Sequence, residues 1–329
     1  MRHGIVRHSR FTVNVARLLT VGFTAWLSGC ITINLLPGPA PLEEKQLSGS
    51  GAYKVLMVEL SGLISSRDSD GLLEQPNPVA HLKEELTRAA DDSSVKALVV
   101  RINSPGGTVT ASDVLYHELR VFKDKRKIPV IASIMDVGAS GGYYVAAAAD
   151  KIMAHPSSVT GSLGVIMLTV NARGLLEKIG LEATAVASGP KKDMGSPFRT
   201  MTDEERAIFQ GVIDSFYQRF LSVVQEGRRN LTPEEIRKLA DGRIYSGEQA
   251  KALGLVDSIG YLDDAIELAK RQAGLTDARV VVYRRPGEYR HNIYSRLLEG
   301  GSGWTALSGL DLMAIVRGGT PQFMYLWMP

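Results

Sequence analysis

The sequence predicts an α/β protein built around a parallel β-sheet. Two runs, Val95–Ile102 and Pro129–Ile134, are almost entirely apolar, as expected for strands that are buried on both faces. Over Pro78–Ala90 and Ala111–Phe122, apolar residues recur at helical spacing among charged ones. Strands that alternate with helices in this way form βαβ crossovers, which place the strands parallel in one sheet.

The other expected elements follow from the same patterns. Further strands are predicted at Tyr53–Leu60, Lys151–Ala154, Glu182–Ser188 and Ala278–Tyr283. Further helices are predicted directly after Ser140 and at Asn171–Ile179, Thr202–Gly227, Thr232–Ala240, Ser246–Leu253 and Asp263–Ala273. The apolar ending at 323–328 has three open interpretations: packing on a neighbouring subunit, contact with lipid, or packing on the core of its own protomer.

Composition excludes several classes of protein. The 329 residues are 44% hydrophobic and 22% charged, which is an ordinary globular composition. The net charge of +3 owes much to four arginines at the extreme N-terminus, so the sequence gives no electrostatic case for nucleic-acid binding. Because the chain has one cysteine, it has no intrachain disulfide and no cysteine-based metal site.

The N-terminus has the pattern of a secretory signal. Residues 1–17 are basic, and 18–27 form a short, largely apolar run that ends in Leu27-Ser28-Gly29-Cys30. This tetrapeptide resembles the bacterial lipobox, in which the chain is cut before a lipid-modified cysteine. We therefore expect a signal peptide at 1–29, lipidation of Cys30 and a flexible tether at 30–52. An uncleaved membrane anchor is the alternative, and both place the rest of the chain outside the cytoplasm. The sequence leaves open whether the lipoprotein stays in an inner membrane or moves to an outer one; Ile31, in place of an acidic residue, leans mildly toward export.

A glycine-flanked serine lies near the middle of the chain. Ser140 stands in Gly138-Ala139-Ser140-Gly141-Gly142, between a predicted strand and a helix. Such a turn can expose the hydroxyl beside the unpaired N–H groups of the helix N-terminus, which is how a nucleophile is presented. A plain glycine-serine turn that leads into a core helix is the alternative.

A nucleophilic serine needs a base. Among the histidines, His155 is nearest to Ser140 in sequence, but its sequence context does not support a catalytic role. A lysine can serve when burial lowers its pKa, and Lys191 and Lys192 lie in a loop rich in glycine and proline. The alternative for a Lys-Lys-Asp loop is solvated surface. N–H groups in the Pro105-Gly106-Gly107 turn could stabilise an oxyanion, although this sequence is also an ordinary turn.

Five blocks of sequence together resemble the signal peptide peptidase A family in its short bacterial form. They are Asn103–Gly107, Ala139–Tyr144, Thr160–Val165, Ser188–Pro197 and the stretch from Asp241 to Asp257. The blocks occur in the family's order across residues 53–275. The resemblance implies a fold similar to the Clp protease and to crotonases, a spiral of ββα units, over a peptidase domain at 53–283. It leaves the role of the extension at 284–329 unknown.

The resemblance also implies a serine–lysine dyad. Carried over by position, the nucleophile is Ser140 and the general base is Lys192, with Lys191 as the neighbouring alternative. Ser162 supplies the hydroxyl that supports the base, and Gly107 and Gly141 supply the oxyanion donors. Gly138 departs from the alanine that the family often has there. In short members the serine and lysine of one site come from adjacent protomers of an octamer, so a homo-octamer is expected.

The resulting expectation is a membrane-tethered serine endopeptidase of the bacterial envelope that faces the periplasm or the exterior and hydrolyses apolar peptides such as cleaved signal peptides. No cofactor, metal or nucleic acid is expected. One alternative is an α/β-hydrolase esterase with Ser140, Asp257 and His291 in the required chain order. Another is a catalytically silent lipoprotein scaffold. A crotonase-type acyl-CoA enzyme fits the fold but not an extracytoplasmic location.

Overall fold

The computed structural model describes residues 40–67, 77–286, 292–294 and 322–328. Its strands are β1 (Glu43–Ser48), β2 (Lys54–Ser61), β3 (Val95–Ser104), β4 (Gly106–Thr108), β5 (Val130–Ala139), β6 (Lys151–Ala154), β7 (Val159–Gly161), β8 (Ile166–Leu168), β9 (Ile244–Ser246), β10 (Ser258–Ile259), β11 (Arg279–Arg284) and β12 (Gln322–Leu326). Its helices are α1 (Pro78–Asp91), α2 (Val109–Arg126), α3 (Gly141–Ala146), α4 (Arg173–Lys178), α5 (Asp203–Gly227), α6 (Pro233–Leu239), α7 (Gly247–Ala252) and α8 (Leu262–Gln272).

A mostly parallel sheet forms the centre of this part of the chain. Its order is β1-β11-β2-β3-β5-β6-β10, and β7 extends it beside the carboxyl end of β5. The pairings from β11 through β2, β3, β5 and β6 to β10 are parallel, and only β1 and β9 pair antiparallel to their neighbours. The α/β class predicted from the sequence is confirmed.

Both faces of the central strands are buried. In β2, Leu56 and Val58 belong to the larger core cluster, which includes side chains of α1, α2 and α3. Val55 and Met57, which alternate with them, pack in a second cluster with α8 on the opposite face. Because neighbouring residues in a strand point to opposite faces, a strand covered by helices on both sides is apolar throughout.

A second, three-stranded sheet lies next to the first. Its order is β4-β12-β8, and β12 is antiparallel to both neighbours. The middle strand comes from the C-terminal end of the chain, whereas β4 follows β3 directly. Of the three interpretations of the apolar ending, packing on the protomer itself is the one seen for residues 322–328.

Two segments differ from the sequence-based expectations. Residues 43–48, expected to lie in the flexible tether, form β1, because their backbone pairs with β11 at the edge of the sheet. The strand expected at Glu182–Ser188 is absent, and Val186 is fully exposed. Its composition favours a strand, but no neighbouring strand of the described protomer supplies hydrogen-bond partners. The expected start of α5 is confirmed, with a capping box between Thr202 and Glu205.

Candidate active site

Three loops meet where three adjacent parallel strands end. In the strand register, Ser104 of β3 lies opposite Gly138 of β5, and Ala139 of β5 lies opposite Gly161 of β7. The Gly106-Gly107 turn, the Ser140 turn and Ser162 follow these positions directly. Carboxyl ends of parallel strands share one edge of a sheet, which is where ligands bind in open α/β folds. The topology therefore brings together four predicted site residues, which are Gly107, Ser140, Gly141 and Ser162.

Ser140 has a constrained backbone and a free hydroxyl. Its φ of 50° and ψ of −114° lie in a region that L-residues rarely adopt. The turn is held by hydrogen bonds from the Ser140 N–H to the Gly161 carbonyl oxygen (2.8 Å) and from the Tyr144 N–H to the Ser140 carbonyl oxygen (2.8 Å). The side chain is 1% exposed, and its Oγ has no hydrogen-bond partner among the described residues. A buried hydroxyl without a partner is costly, so this strained arrangement is typical of a functional nucleophile.

The two glycine turns touch each other. A Cβ on Gly141 would lie 2.5 Å from Ser112 Oγ and 3.1 Å from the Gly106 Cα. Gly106 has a φ of 107°, and a Cβ there would lie 2.7 Å from the Gly141 nitrogen. Side chains at either position would therefore separate the turns. Gly107 is part of β4, where it lies between Ile64 and Tyr325 of β12.

Ser162 occupies the third loop in a similarly strained conformation. Its φ is 50°, and its N–H donates to the Arg243 carbonyl oxygen at 2.7 Å. Within the described residues its hydroxyl makes no hydrogen bond, and so none to Ser140 or Lys192.

The lysine loop makes no hydrogen bond to the Ser140 hydroxyl in the described part of one protomer. Lys192 is exposed, and its ammonium group has no hydrogen bond or ion pair in the described part of the chain. The Lys191 ammonium group, in contrast, lies 2.5 Å from Glu204 Oε2 of α5. The two neighbouring lysines thus have different surroundings, and no hydrogen bond joins Lys192 to Ser140 among the described residues of one protomer.

Arg199 holds the end of this loop against α5. Its guanidinium contacts both carboxylate oxygens of Asp193, at 2.7 and 2.8 Å, and also the carboxylate of Glu205. These charge-assisted hydrogen bonds lower the pKa of Asp193 and lower that of Glu205 to about 2. The Lys192 loop is therefore fixed at one end by two ion pairs.

The histidine-based alternative finds no support in the described residues. His155 contacts Ser157 through Nδ1 (2.8 Å) and packs edge-on against Tyr261. The Asp257 carboxylate accepts hydrogen bonds from Arg228 (2.7 Å) and from the N–H of Ile152 (2.8 Å). Ile152 pairs with Ala132 near the amino end of β5, about 25 Å along the strand from Ser140. His291 and Cys30 lie outside the described residues.

A cluster of aromatic side chains beside Ser140 was not predicted from the sequence. The Tyr144 ring stacks on Tyr325 at 5.0 Å and meets Phe220 (5.1 Å) and Tyr116 (5.5 Å) edge-on. Burial raises the pKa of Tyr144 and Tyr325, and it raises that of Tyr116 to about 12. The Tyr143-Tyr144 doublet after the serine was a possible signal, but α2, α5 and β12 come together here only in the fold.

The described ranges contain neither a candidate metal cluster nor a membrane-spanning helix. No group of three or more His, Cys, Asp or Glu side chains there could hold a metal ion. None of the helices between residues 77 and 286 combines the length and apolar character needed to cross a bilayer.

Known proteins resemble this chain over most of its length. The profile of peptidase family S49 matches residues 122–276. A protein from Enterococcus faecium that carries the name of signal peptide peptidase SppA is 39% identical over 244 residues, which are 74% of this chain and 70% of that protein. "Serine protease SPPA, chloroplastic" from Arabidopsis thaliana is 34% identical over 229 residues, 68% of this chain and 33% of that protein. "Protease 4" from Salmonella typhi is 39% identical over 193 residues, 59% of this chain and 31% of that protein.

The mostly parallel α/β architecture agrees with the Clp protease-like and crotonase-like fold that this relationship implies. The chain thus belongs to peptidase family S49, the signal peptide peptidase A family, and is a serine protease that acts on peptides.

Proposed function

We propose that this protease is an endopeptidase that cleaves apolar peptides, such as cleaved signal peptides, with Ser140 as the nucleophile and Lys192 as the general base. The observation that carries the proposal is the Ser140 hydroxyl, which is buried and unpartnered in a strained turn at the start of α3. Gly106 and Gly141 leave the backbone beside it free of side chains, so a peptide carbonyl can approach closely.

The choice of Lys192 over Lys191 is supported by their contacts. The Lys191 ammonium group is paired with Glu204 within the protomer. Lys192 has no such partner in the described part of the chain. A general base needs a nitrogen that is free to accept a proton, so Lys192 is the better candidate.

The reaction follows from these roles. The neutral Lys192 amine takes the Ser140 proton as Oγ bonds to the carbonyl carbon of the substrate, and the Gly107 and Gly141 N–H groups stabilise the oxyanion that forms. The tetrahedral intermediate collapses with cleavage of the C–N bond, and Lys192 returns the proton to the departing amine. Water then gives a proton to Lys192 and bonds to the acyl carbon. Oγ leaves with that proton, which restores the enzyme.

The site is proposed to be shared between adjacent protomers of a homo-octamer. Within one protomer Lys192 is exposed whereas Ser140 is buried. Around the lysine loop, the segment from α4 to residue 198 has exposed apolar side chains, namely Leu175, Ile179, Leu181, Val186 and Phe198. Such a patch is suited to contact with a second copy of the chain, which would bury it and bring Lys192 to the serine of that copy. Ser162 is proposed to support the base there.

We further propose that a lipid on Cys30 tethers the protease to a membrane of the bacterial envelope, with its active site in the periplasm or outside the cell. The proposal rests on the N-terminal sequence pattern.

Covalent labelling tests the proposed chemistry. A fluorophosphonate probe should attach to Ser140, located by mass spectrometry of peptides, and labelled protein should no longer cleave a casein or signal-peptide substrate. Absence of labelling at Ser140 in a folded, assembled sample would favour the silent scaffold and would contradict the proposal.

A further inference from the structure

The Ser104 hydroxyl makes two hydrogen bonds directly before the Gly106-Gly107 turn. Ser104 is the last residue of β3, and its side chain is completely buried. Its Oγ donates to the Gly62 carbonyl oxygen at 2.6 Å and accepts from the Gly106 N–H at 3.1 Å. The Gly106 carbonyl oxygen is farther from Oγ, at 3.4 Å, so the hydroxyl proton lies toward Gly62. An oxygen lone pair is thereby left for the Gly106 N–H.

The turn depends on such contacts because its own residues restrict it little. Gly106 has a φ of 107°, and two successive glycines allow backbone conformations that other residues avoid. Ser104 holds the N–H of the peptide between Pro105 and Gly106, and the Trp327 N–H donates to its carbonyl oxygen at 2.9 Å. This peptide is therefore fixed on both sides.

The direction of the Gly107 N–H follows from the next peptide. The Gly106 carbonyl oxygen accepts from the Ile64 N–H at 2.9 Å, and the Thr108 N–H donates to the Ile64 carbonyl oxygen at 2.9 Å. In a planar trans peptide the N–H points opposite to the carbonyl group. The Gly107 N–H therefore points away from Ile64, and a change in the Gly106 backbone would alter that direction.

Ser104 also contacts the second turn of the site. A Cβ on Gly142 would lie 2.7 Å from the Ser104 carbonyl oxygen and 3.5 Å from the Ser104 Cβ. A Cβ on Gly106 would lie 2.7 Å from the Gly141 nitrogen. The turns that carry the two proposed oxyanion donors, Gly107 and Gly141, thus both pack against Ser104.

We propose that Ser104 is a positioning residue of the oxyanion hole: its hydroxyl holds the Gly106 amide so that the Gly107 N–H stays directed at the carbonyl oxygen of the substrate. The inference rests on the proposed nucleophile, Ser140, and on the proposed donors. Ser104 acts through the turn and not by contact with the substrate. Its effect is therefore expected in the transition state, where charge develops on that oxygen, and not in the binding of the intact peptide.

Ser104→Ala tests this role in the full-length, assembled protein. A quenched fluorescent signal-peptide substrate gives kcat and KM, and size-exclusion chromatography verifies assembly. We expect kcat to fall on the order of 10–100-fold, less than for loss of a whole donor, with KM within about twofold. The same comparison with Ser104→Cys, whose thiol is a weak hydrogen-bonding group, keeps the test available if Ser104→Ala does not assemble.

Ser158→Ala is the matched control. The Ser158 side chain is also buried, and its Oγ donates to a backbone carbonyl oxygen, that of Ile134, at 3.0 Å. It makes no hydrogen bond to the Gly106-Gly107 turn in the described part of the chain. Ser158→Ala should therefore lower Tm as Ser104→Ala does, while kcat stays unchanged. Equal losses of kcat in the two variants would overturn the role of Ser104.

A peptide aldehyde distinguishes positioning from a general loss of structure. Ser140 Oγ bonds to the aldehyde carbon as Lys192 takes up its proton, and the adduct oxygen then occupies the oxyanion hole. Ser104→Ala should weaken inhibition by the aldehyde by the same factor as it lowers kcat. Inhibition by the corresponding peptide alcohol, which forms no adduct, should not change. Undiminished inhibition by the aldehyde would overturn the positioning role.

Failure of the proposed function would give a different result. The unmodified protein would then resist fluorophosphonate labelling at Ser140 and would not cleave the peptide. Normal labelling and cleavage by the unmodified protein, together with an unchanged kcat in Ser104→Ala, would instead overturn the role of Ser104 alone.

Discussion

Ser140 and its neighbours combine features that folding alone does not favour. A non-glycine residue at positive φ and a buried hydroxyl without a partner each reduce stability, by roughly 1–3 kcal/mol apiece. Both occur in the same residue, at the end of the central strand β5. We infer that the surrounding hydrogen bonds keep this conformation because the chemistry requires it.

The two lysines of the loop are expected to respond differently to mutation. Lys192→Ala should abolish peptide hydrolysis, as Ser140→Ala should, because the serine then has no base. Lys191→Ala should retain most activity, since that side chain is paired with Glu204. Hydrolysis of a quenched peptide by the purified variants measures this, with size-exclusion chromatography to verify assembly. Loss of activity in Lys191→Ala with retention in Lys192→Ala would instead identify Lys191 as the base.

Gly141→Ala should impair catalysis more than folding. Its Cβ would lie 2.5 Å from Ser112 Oγ, so the N–H proposed to bind the oxyanion must shift. Loss of such a donor reduces kcat on the order of 10²–10³-fold. The matched control is Gly211→Ala in α5, where no atom lies within 4 Å of the new Cβ and the helix should gain about 0.5–1 kcal/mol. Equal kcat values for the two variants would contradict the role of Gly141.

Gly107 and Ser140 could be singled out from the residues because each follows an apolar strand in the sequence. Ser162 could not, since β7 reads Val-Thr-Gly, and it rests on the family resemblance alone. Gly107, Ser140 and Ser162 come after β3, β5 and β7, and parallel strands end at a common edge. The aromatic cluster beside Ser140 could not be predicted in this way. Tyr116, Tyr144, Phe220 and Tyr325 lie on four separate elements, and each is also an ordinary core residue in its own segment.

At the scale of elements, strands that are stabilised by burial of their own apolar residues can be predicted from the sequence. Strands that depend on pairing with a distant part of the chain cannot. The strands β2, β3, β5 and β6 are apolar runs whose burial is visible in the sequence. In contrast, β1 contains Glu43, Glu44 and Lys45 and becomes a strand only by pairing with β11, more than 200 residues away. The wrongly predicted strand at 182–188 shows the converse, since a favourable composition without a partner strand leaves an exposed coil.

The start of α5 should respond to acid through Glu205. This carboxylate is 2% exposed, closes the capping box with Thr202 and binds Arg199, which lowers its pKa to about 2 from a usual value of 4.5. A group whose pKa is lower in the folded state stabilises fully above its unfolded pKa and loses that contribution as the pH falls. Glu205→Gln should therefore lower Tm at pH 7, and the difference from the unmodified protein should shrink between pH 4.5 and pH 2.

Differential scanning calorimetry at pH 7, 4 and 3 measures this effect. The control is Glu234→Gln, an exposed residue in the first turn of α6. A Tm difference for Glu205→Gln that is independent of pH would contradict the role of the Arg199 ion pair.

At the scale of the whole molecule, the length of the segment before β1 limits how far the protease can lie from a lipid anchor at Cys30. The first strand begins at Glu43, so residues 31–42 connect it to Cys30, and the stretch from Cys30 to Glu43 spans at most about 47 Å. A lipid on Cys30 would thus hold the protease close to the membrane surface. Cys30→Ser should abolish labelling by radioactive palmitate in cells, and unchanged labelling would contradict the lipoprotein proposal.

Ser140 of one protomer is proposed to work with Lys192 of its neighbour. Co-expression of Ser140→Ala and Lys192→Ala chains with different affinity tags, followed by tandem purification, would yield mixed assemblies of two inactive chains. If adjacent protomers share each site, about a quarter of the sites in a random mixture contain both groups, and peptide hydrolysis should recover to that level. Mixed assemblies as inactive as either parent would contradict the shared site.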